Sequence, residues 1–110
     1  MSLVAETLPM SQSLSIAFVV GTRPNFPKVA PMLAALRSHE SVRPILVHTG
    51  QHYDPELSAM FFEDLGISEP DWMLGVGSGS HAQQTAKVMV EFERRCLDDR
   101  PNCVVVVGDV

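Results

Sequence analysis

The run from Leu14 to Val20 is apolar at every position but Ser15. A continuous run of that kind suits a strand buried on both faces, the usual state in a parallel sheet. The spacing then changes: Val29, Met32, Leu33 and Leu36 fall at i, i+3, i+4 and i+7, the stripe of a core-facing helix. Pro24 fits the first turn of that helix, Pro31 predicts a kink, and the end is expected near Ser38. Val42 to His48 reads as a second strand, with Pro44 at an early or edge position. Asp54-Pro55-Glu56 is a helix start, followed by the stripe Leu57, Met60, Phe61 and Leu65 and by Gly66 as the left-handed stop. The stretch from Leu65 to Leu74 reads as a loop and then a short strand. The glycines between Gly75 and Gly79 predict a flexible segment. Ser80 and Gln83 have the spacing of a capping box that opens a third helix. Its apolar face is expected at Ala82, Ala86, Met89, Phe92 and Cys96, with Glu91 and Arg95 paired outside. Cys103 to Val107 is the purest apolar run and the last strand.

Strands alternating with helices predict an α/β fold with a Rossmann-like, doubly wound parallel sheet. Right-handed crossovers place the second strand on the side of the first strand away from the last. Residues 14–110 then form one partial domain behind a disordered leader at residues 1–13, since 110 residues suffice for one small domain and not two. Four valines in a row just before the end, with no helix to cover them, lead to the expectation of an opening piece of a longer protein.

Composition narrows the function. A net charge of −5 argues against generic nucleic-acid binding, which wants a basic face. No apolar run approaches the roughly 20 residues of a membrane span, and no Lys or Arg precedes the first apolar run as in a secretory signal. Cys96 and Cys103 lack the spacing of a zinc site and are expected to be reduced, buried and inert in a cytoplasmic protein.

The chemistry gathers at the strand ends, where ligands of open α/β sheets sit. After Val20 come Gly21, Thr22, Arg23 and Pro24, with Lys28 a turn later. A guanidinium fork, an ammonium and the N–H groups of a helix start predict a site for an anion. The second strand ends in His48-Thr49-Gly50-Gln51-His52, the densest polar cluster. His48 and His52 are four apart, but Gly50 lies between them and no metal-site pattern surrounds them; both are read as hydrogen-bonding groups and no metal is expected. The third rim position is Asp109. A carboxylate there has its charged form favoured by nearby cations, and its plainer role is to cap a following helix.

Gly21-Thr22-Arg23-Pro24 followed by Lys28-Val29-Ala30-Pro31 resembles the opening signature of the non-hydrolysing bacterial UDP-N-acetylglucosamine 2-epimerases. The likeness continues through Thr49-Gly50-Gln51-His52, the string from Gly77 to Thr85, and Gly108-Asp109. The chain departs from the pattern at Asn25, usually Glu, and at Pro27. The resemblance implies the first part of the N-terminal domain of a two-domain, glycosyltransferase-B-like protein, homodimeric at full length. It implies a UDP-sugar substrate and no cofactor. In the family reaction UDP is eliminated from UDP-N-acetylglucosamine and adds back, and the proton returns at carbon 2 from the other face, giving UDP-N-acetylmannosamine. The implied catalytic residues are Asp109 for proton transfer and Arg23 and Lys28 for anionic oxygens. Gly21, Thr22, Pro24, Gln51, His52 and His81 are the implied substrate contacts. A hydrolysing relative of the enzyme and a non-catalytic nucleotide-sugar-binding module stay open as alternatives. The 110-residue chain alone is expected to be inactive.

Overall fold

The computed structural model describes residues 14–22, 24–50, 62–67 and 69–107. The leader at residues 1–13, the helix start at Asp54-Pro55-Glu56 and the stripe residues Leu57, Met60 and Phe61 lie outside them. The first apolar run forms β1 (Leu14–Val20) and the second forms β2 (Val42–His48). A two-residue strand, β3 (Trp72–Met73), and β4 (Cys103–Val106) complete the sheet. The helices are α1 (Asn25–Leu36) and α2 (His81–Asp99). The strand order is β3-β2-β1-β4 and every pairing is parallel, so β2 and β4 flank β1 as the crossover rule predicts.

The two faces of the sheet separate two cores. Phe18 and Val20 of β1 and Leu46 of β2 meet Phe26, Val29 and Leu33 of α1 and, from the segment beyond, Phe62 and Ile67. Ala17, Ile45 and Val47 point the other way, onto Trp72, Leu74 and Val76, with Val88, Phe92 and Cys96 of α2 against them. Each fully buried side chain of the size of Phe18 or Val20 contributes roughly 1.5–3 kcal/mol relative to exposure. That two-sided burial is why β1 carries no polar alternation.

Several details differ from the sequence reading. Pro44 holds the early position expected, third in β2, although that strand is internal and not an edge: β3 reaches only Val47 and His48, so the half of β2 that holds Pro44 has no β3 partner. The missing N–H is harmless there. The α2 face is rotated: Val88, Phe92 and Cys96 touch the core while Met89 is 67% exposed. The anchor is Phe92 beside the Trp72 ring, centroids 6.2 Å apart, and small residues such as Ala82 and Ala86 cannot override it. Glu91 pairs with Arg94 at 2.6 Å rather than with Arg95. Arg95 is half-buried on the core side of the helix and so is not the outward partner. β4 stands at the sheet edge among the described residues, ends at Val106 and leaves Val106 71% exposed. Both cysteines are free, but Cys103 on that edge is exposed rather than buried; only Cys96 lies against the core, where burial pushes its thiol pKa up.

The ends of the elements follow their sequence signals. Ser80 Oγ accepts the Gln83 N–H at 3.1 Å and Gln83 Oε1 accepts the Ser80 N–H at 3.0 Å, a complete capping box. Gly66, at φ 70°, donates to Glu63 O at 3.1 Å while Ile67 donates to Phe62 O at 2.8 Å, the paired bonds of a left-handed helix stop. At the amino ends of the strands, Arg43 Nη2 donates to both Asp99 carboxylate oxygens at 3.1 and 3.2 Å and to Ser15 Oγ at 3.2 Å. Asn102 exchanges two 2.8 Å bonds with the Ser15 backbone. This clasp fixes the rim opposite the loops that carry the site.

Candidate functional site at the carboxyl ends of the strands

The turn after β1 is organised by Asn25. Its Oδ1 accepts the N–H of Gly21 at 2.9 Å, the N–H of Thr22 at 3.0 Å and the Thr22 hydroxyl at 3.3 Å. The Asn25 N–H closes the turn onto Thr22 O at 3.0 Å. Asn25 is 8% exposed, so the knot is largely out of water. Gly21 is buried, Thr22 half-buried and Pro24 exposed just ahead of α1. Lys28 stands exposed on the first turn of α1.

This changes the expected anion site. The backbone donors of Gly21 and Thr22 are already taken, and Pro24 and Pro27 bring no N–H at all. The Asn25 side chain closes the two amides of the turn just ahead of α1, which the sequence alone leaves open to a ligand. Attraction for an anion at this turn therefore falls on the positive end of α1, which has no acidic residue in its first turn, and on cationic side chains.

The turn after β2 lies beside it. The Thr49 N–H donates to Val20 O at 3.0 Å, carrying the ladder past the end of the strands. His48 is 2% exposed and its Nδ1 accepts the Gly50 N–H at 2.8 Å, which requires that nitrogen to be unprotonated. Burial holds the imidazole below its usual pKa. Phe26 packs on the His48 ring at 5.5 Å and on Phe62 at 5.1 Å, so one aromatic joins the start of α1 to the end of β2.

The glycine-rich segment is not a loose linker. Leu74, Val76 and Gly77 donate to His48 O, Thr49 O and Gly50 O at 2.9, 2.8 and 3.1 Å. Gly50 has φ 88°, and a Cβ there would stand 3.1 Å from Gly75 Cα, Gly75 N and Val76 N. The close approach of two backbones explains the glycine. Gln84 Nε2 then donates to Gly77 O at 2.9 Å and anchors the first turn of α2 on this rim. His81, the first residue of α2, is exposed.

Of the candidates, the structure brings the Gly21-Thr22 and Thr49-Gly50 turns together on one rim, with Pro24 and Lys28 following the first. The segment leading to His81 packs against the second. Arg23, Gln51, His52 and Asp109 lie outside the described residues. Asn25 and His48 carry the architecture of the rim. No helix-cap pattern signals Asn25, which is the first residue of α1 and not its cap; its side chain reaches back to Gly21 and Thr22, one of the local side-chain-to-backbone bonds that Asn favours in turns. Among the described residues no three His, Cys, Asp or Glu side chains converge, and no helix is long and apolar enough to cross a membrane.

Comparison with known proteins places these features in context. Residues 34–110 match the family described as UDP-N-acetylglucosamine 2-epimerase. A protein of Methanococcus maripaludis described as a UDP-N-acetylglucosamine 2-epimerase homolog is 42% identical over 96 residues, 87% of this chain and 26% of that protein. The UDP-2,3-diacetamido-2,3-dideoxy-D-glucuronate 2-epimerase of Pseudomonas aeruginosa is 38% identical over 96 residues, 87% of this chain and 27% of its own length. The chain thus spans about a quarter of the relatives it matches. Among solved structures, the Methanocaldococcus jannaschii UDP-GlcNAc 2-epimerase in complex with UDP-GlcNAc and UDP superposes with a TM-score of 0.80 at 36% identity, over 88% of this chain and 26% of that one. The Neisseria meningitidis enzyme bound to UDP-GlcNAc gives 0.77 at 26% identity, over the same shares.

Proposed function

The chain belongs to the UDP-N-acetylglucosamine 2-epimerase family, and we propose that it forms one wall of the site where a UDP-sugar is reversibly epimerised at carbon 2. The substrate pair is UDP-N-acetylglucosamine and UDP-N-acetylmannosamine, interconverted by elimination and re-addition of UDP. The observation that carries this reading is the rim itself. Two ordered turns, bridged by the Thr49 bond to Val20 O, stand at the carboxyl ends of parallel strands, in a chain that superposes on an epimerase complexed with UDP-GlcNAc and UDP.

Each group has a defined task. Arg23 and Lys28 neutralise the departing diphosphate, where fixed charge lowers the barrier most. Asp109 carries a proton to or from carbon 2. Gly21, Thr22, Pro24, Gln51, His52 and His81 contact the substrate. The remaining catalytic groups and most of the uridine pocket belong to parts of the protein beyond this chain, in a second domain across a cleft, and the active protein is a cytoplasmic homodimer. The 110-residue chain by itself is therefore inactive, since preorganised groups from both walls are needed.

A second reading follows from the Pseudomonas relative: the same chemistry on a UDP-diacetamido uronic acid. Product analysis by proton NMR decides. The full gene product is expected to reach one mixture of UDP-N-acetylglucosamine and UDP-N-acetylmannosamine from either starting sugar. Free N-acetylmannosamine with UDP marks a hydrolysing enzyme. Turnover of the uronate alone establishes the second reading, and no turnover of any sugar leaves a binding module.

A further inference from the structure

Asn25 stands where the family's usual residue is a carboxylate, yet it is the hub of the β1–α1 turn. Three donors converge on its Oδ1 within 2.9 to 3.3 Å: two backbone N–H groups and one hydroxyl. An aspartate at that spot, isosteric with Asn, accepts the same bonds, whereas the family's usual Glu carries its carboxylate one methylene further out. The aspartate also stays ionised, because several donors aimed at one carboxylate hold its pKa down. Fold stability alone therefore does not distinguish Asn from Asp here, and an acidic residue at the start of a helix is if anything stabilising. What differs is charge. With Asn25 the first turn of α1 contains no acidic residue, and the turn keeps its full positive potential for an incoming anion.

We propose that Asn25 is a positioning and specificity residue of this rim: its neutral Oδ1 fixes the Gly21-Thr22 turn and, by taking those donors without adding charge, sets the affinity for a diphosphate. The proposal rests on the UDP-sugar reading above. It divides the work cleanly. The side chain at 25 shapes the turn, and cationic side chains meet the phosphates. Asn25 does not touch the reacting atoms; it acts through the turn.

The test uses the full gene product with UDP as the probe. Calorimetry gives the UDP affinity, and exchange of the Gly21 and Thr22 amides reports the turn. Asn25→Asp is expected to keep the amide protection and the melting temperature of the parent while binding UDP about tenfold more weakly or worse, the scale of one added charge a few ångströms from a diphosphate. Raised salt should narrow that gap. Asn25→Ala is expected to lose the protection of Gly21 and Thr22. An Asn25→Asp variant that binds UDP like the parent overturns the specificity role. An Asn25→Ala variant that keeps the protection overturns the positioning role. A parent that binds no UDP sinks the UDP-sugar reading and the specificity role with it, while the exchange data still decide the positioning role on their own.

Discussion

Replacing Gly50 by alanine tests whether the rim is built by backbone contact between the β2 turn and the glycine-rich segment. Gly50 has φ 88°, and its hypothetical Cβ lies 3.1 Å from three backbone atoms of Gly75 and Val76. An L residue in the left-handed region costs roughly 1–2 kcal/mol. Forcing a methyl against backbone that cannot rotate away adds roughly 1–3 kcal/mol. The sum is about 2–5 kcal/mol, concentrated on the bonds from Val76 to Thr49 O and from Gly77 to Gly50 O. Gly66→Ala is the control, because Gly66 has φ 70° with no atom within 4 Å of a Cβ. It should show the conformational part alone, about 1–2 kcal/mol. Hydrogen exchange in the full gene product reads both. The Val76 and Gly77 amides should exchange at least about 30-fold faster in Gly50→Ala, the factor that corresponds to about 2 kcal/mol of local opening. The Ile67 amide in Gly66→Ala should change less. Exchange at Val76 and Gly77 within about threefold of the parent would mean that the two segments are not held by this contact, and the ordered rim would go with it.

Burial holds the His48 pKa below the ordinary 6.5, and its Nδ1 must be unprotonated to accept from Gly50. Its contribution is therefore present above that value and is lost as pH falls from there through the native pKa; His48→Asn, which keeps an acceptor near the Nδ1 position, should flatten that part of the stability–pH profile measured by denaturation. Ser80→Ala should cost about 1 kcal/mol, read as faster exchange in the first turn of α2, because it removes one half of the capping box. Asp109→Asn in the full gene product should fold and bind UDP but lose about 10²–10⁴-fold in turnover if Asp109 moves a proton, whereas a mere helix cap tolerates Asn; steady-state kinetics with both UDP-sugars decides.

Much of the scaffold was legible because its signals are local and strong. The run Leu14 to Val20 has one physical use, a strand buried on both faces, and the crossover rule then fixed the neighbours of β1. The capping box at Ser80 and Gln83 and the Gly66 stop are short-range hydrogen-bond patterns that need no tertiary help. The face of α2 is not legible in the sequence because all its apolar residues look alike in a helical wheel. The Trp72 ring decided which of them pack, and that contact is a tertiary fact. The order in the glycine-rich segment is hidden for a related reason: glycines serve flexible linkers and close backbone approach equally well, and only the Gly50–Gly75 contact separates the two. At the site, the residue types predict a place for an anion, and the structure closes part of the donor set that this expectation uses. The Asn25 side chain takes the N–H groups of Gly21 and Thr22 in the turn ahead of α1, and no periodicity reports where a carboxamide turns.

In the proposed reaction the full protein moves the proton at carbon 2 while UDP departs and returns. The direct measurement is incubation of UDP-N-acetylglucosamine with the full gene product in heavy water, followed by NMR and mass analysis of both UDP-sugars. One deuterium is expected at carbon 2 in the UDP-N-acetylmannosamine formed and, with time, in the recovered UDP-N-acetylglucosamine, with UDP still attached to the sugar at equilibrium. Epimerisation without deuterium at carbon 2, or no conversion of either sugar, would contradict the proposed reaction.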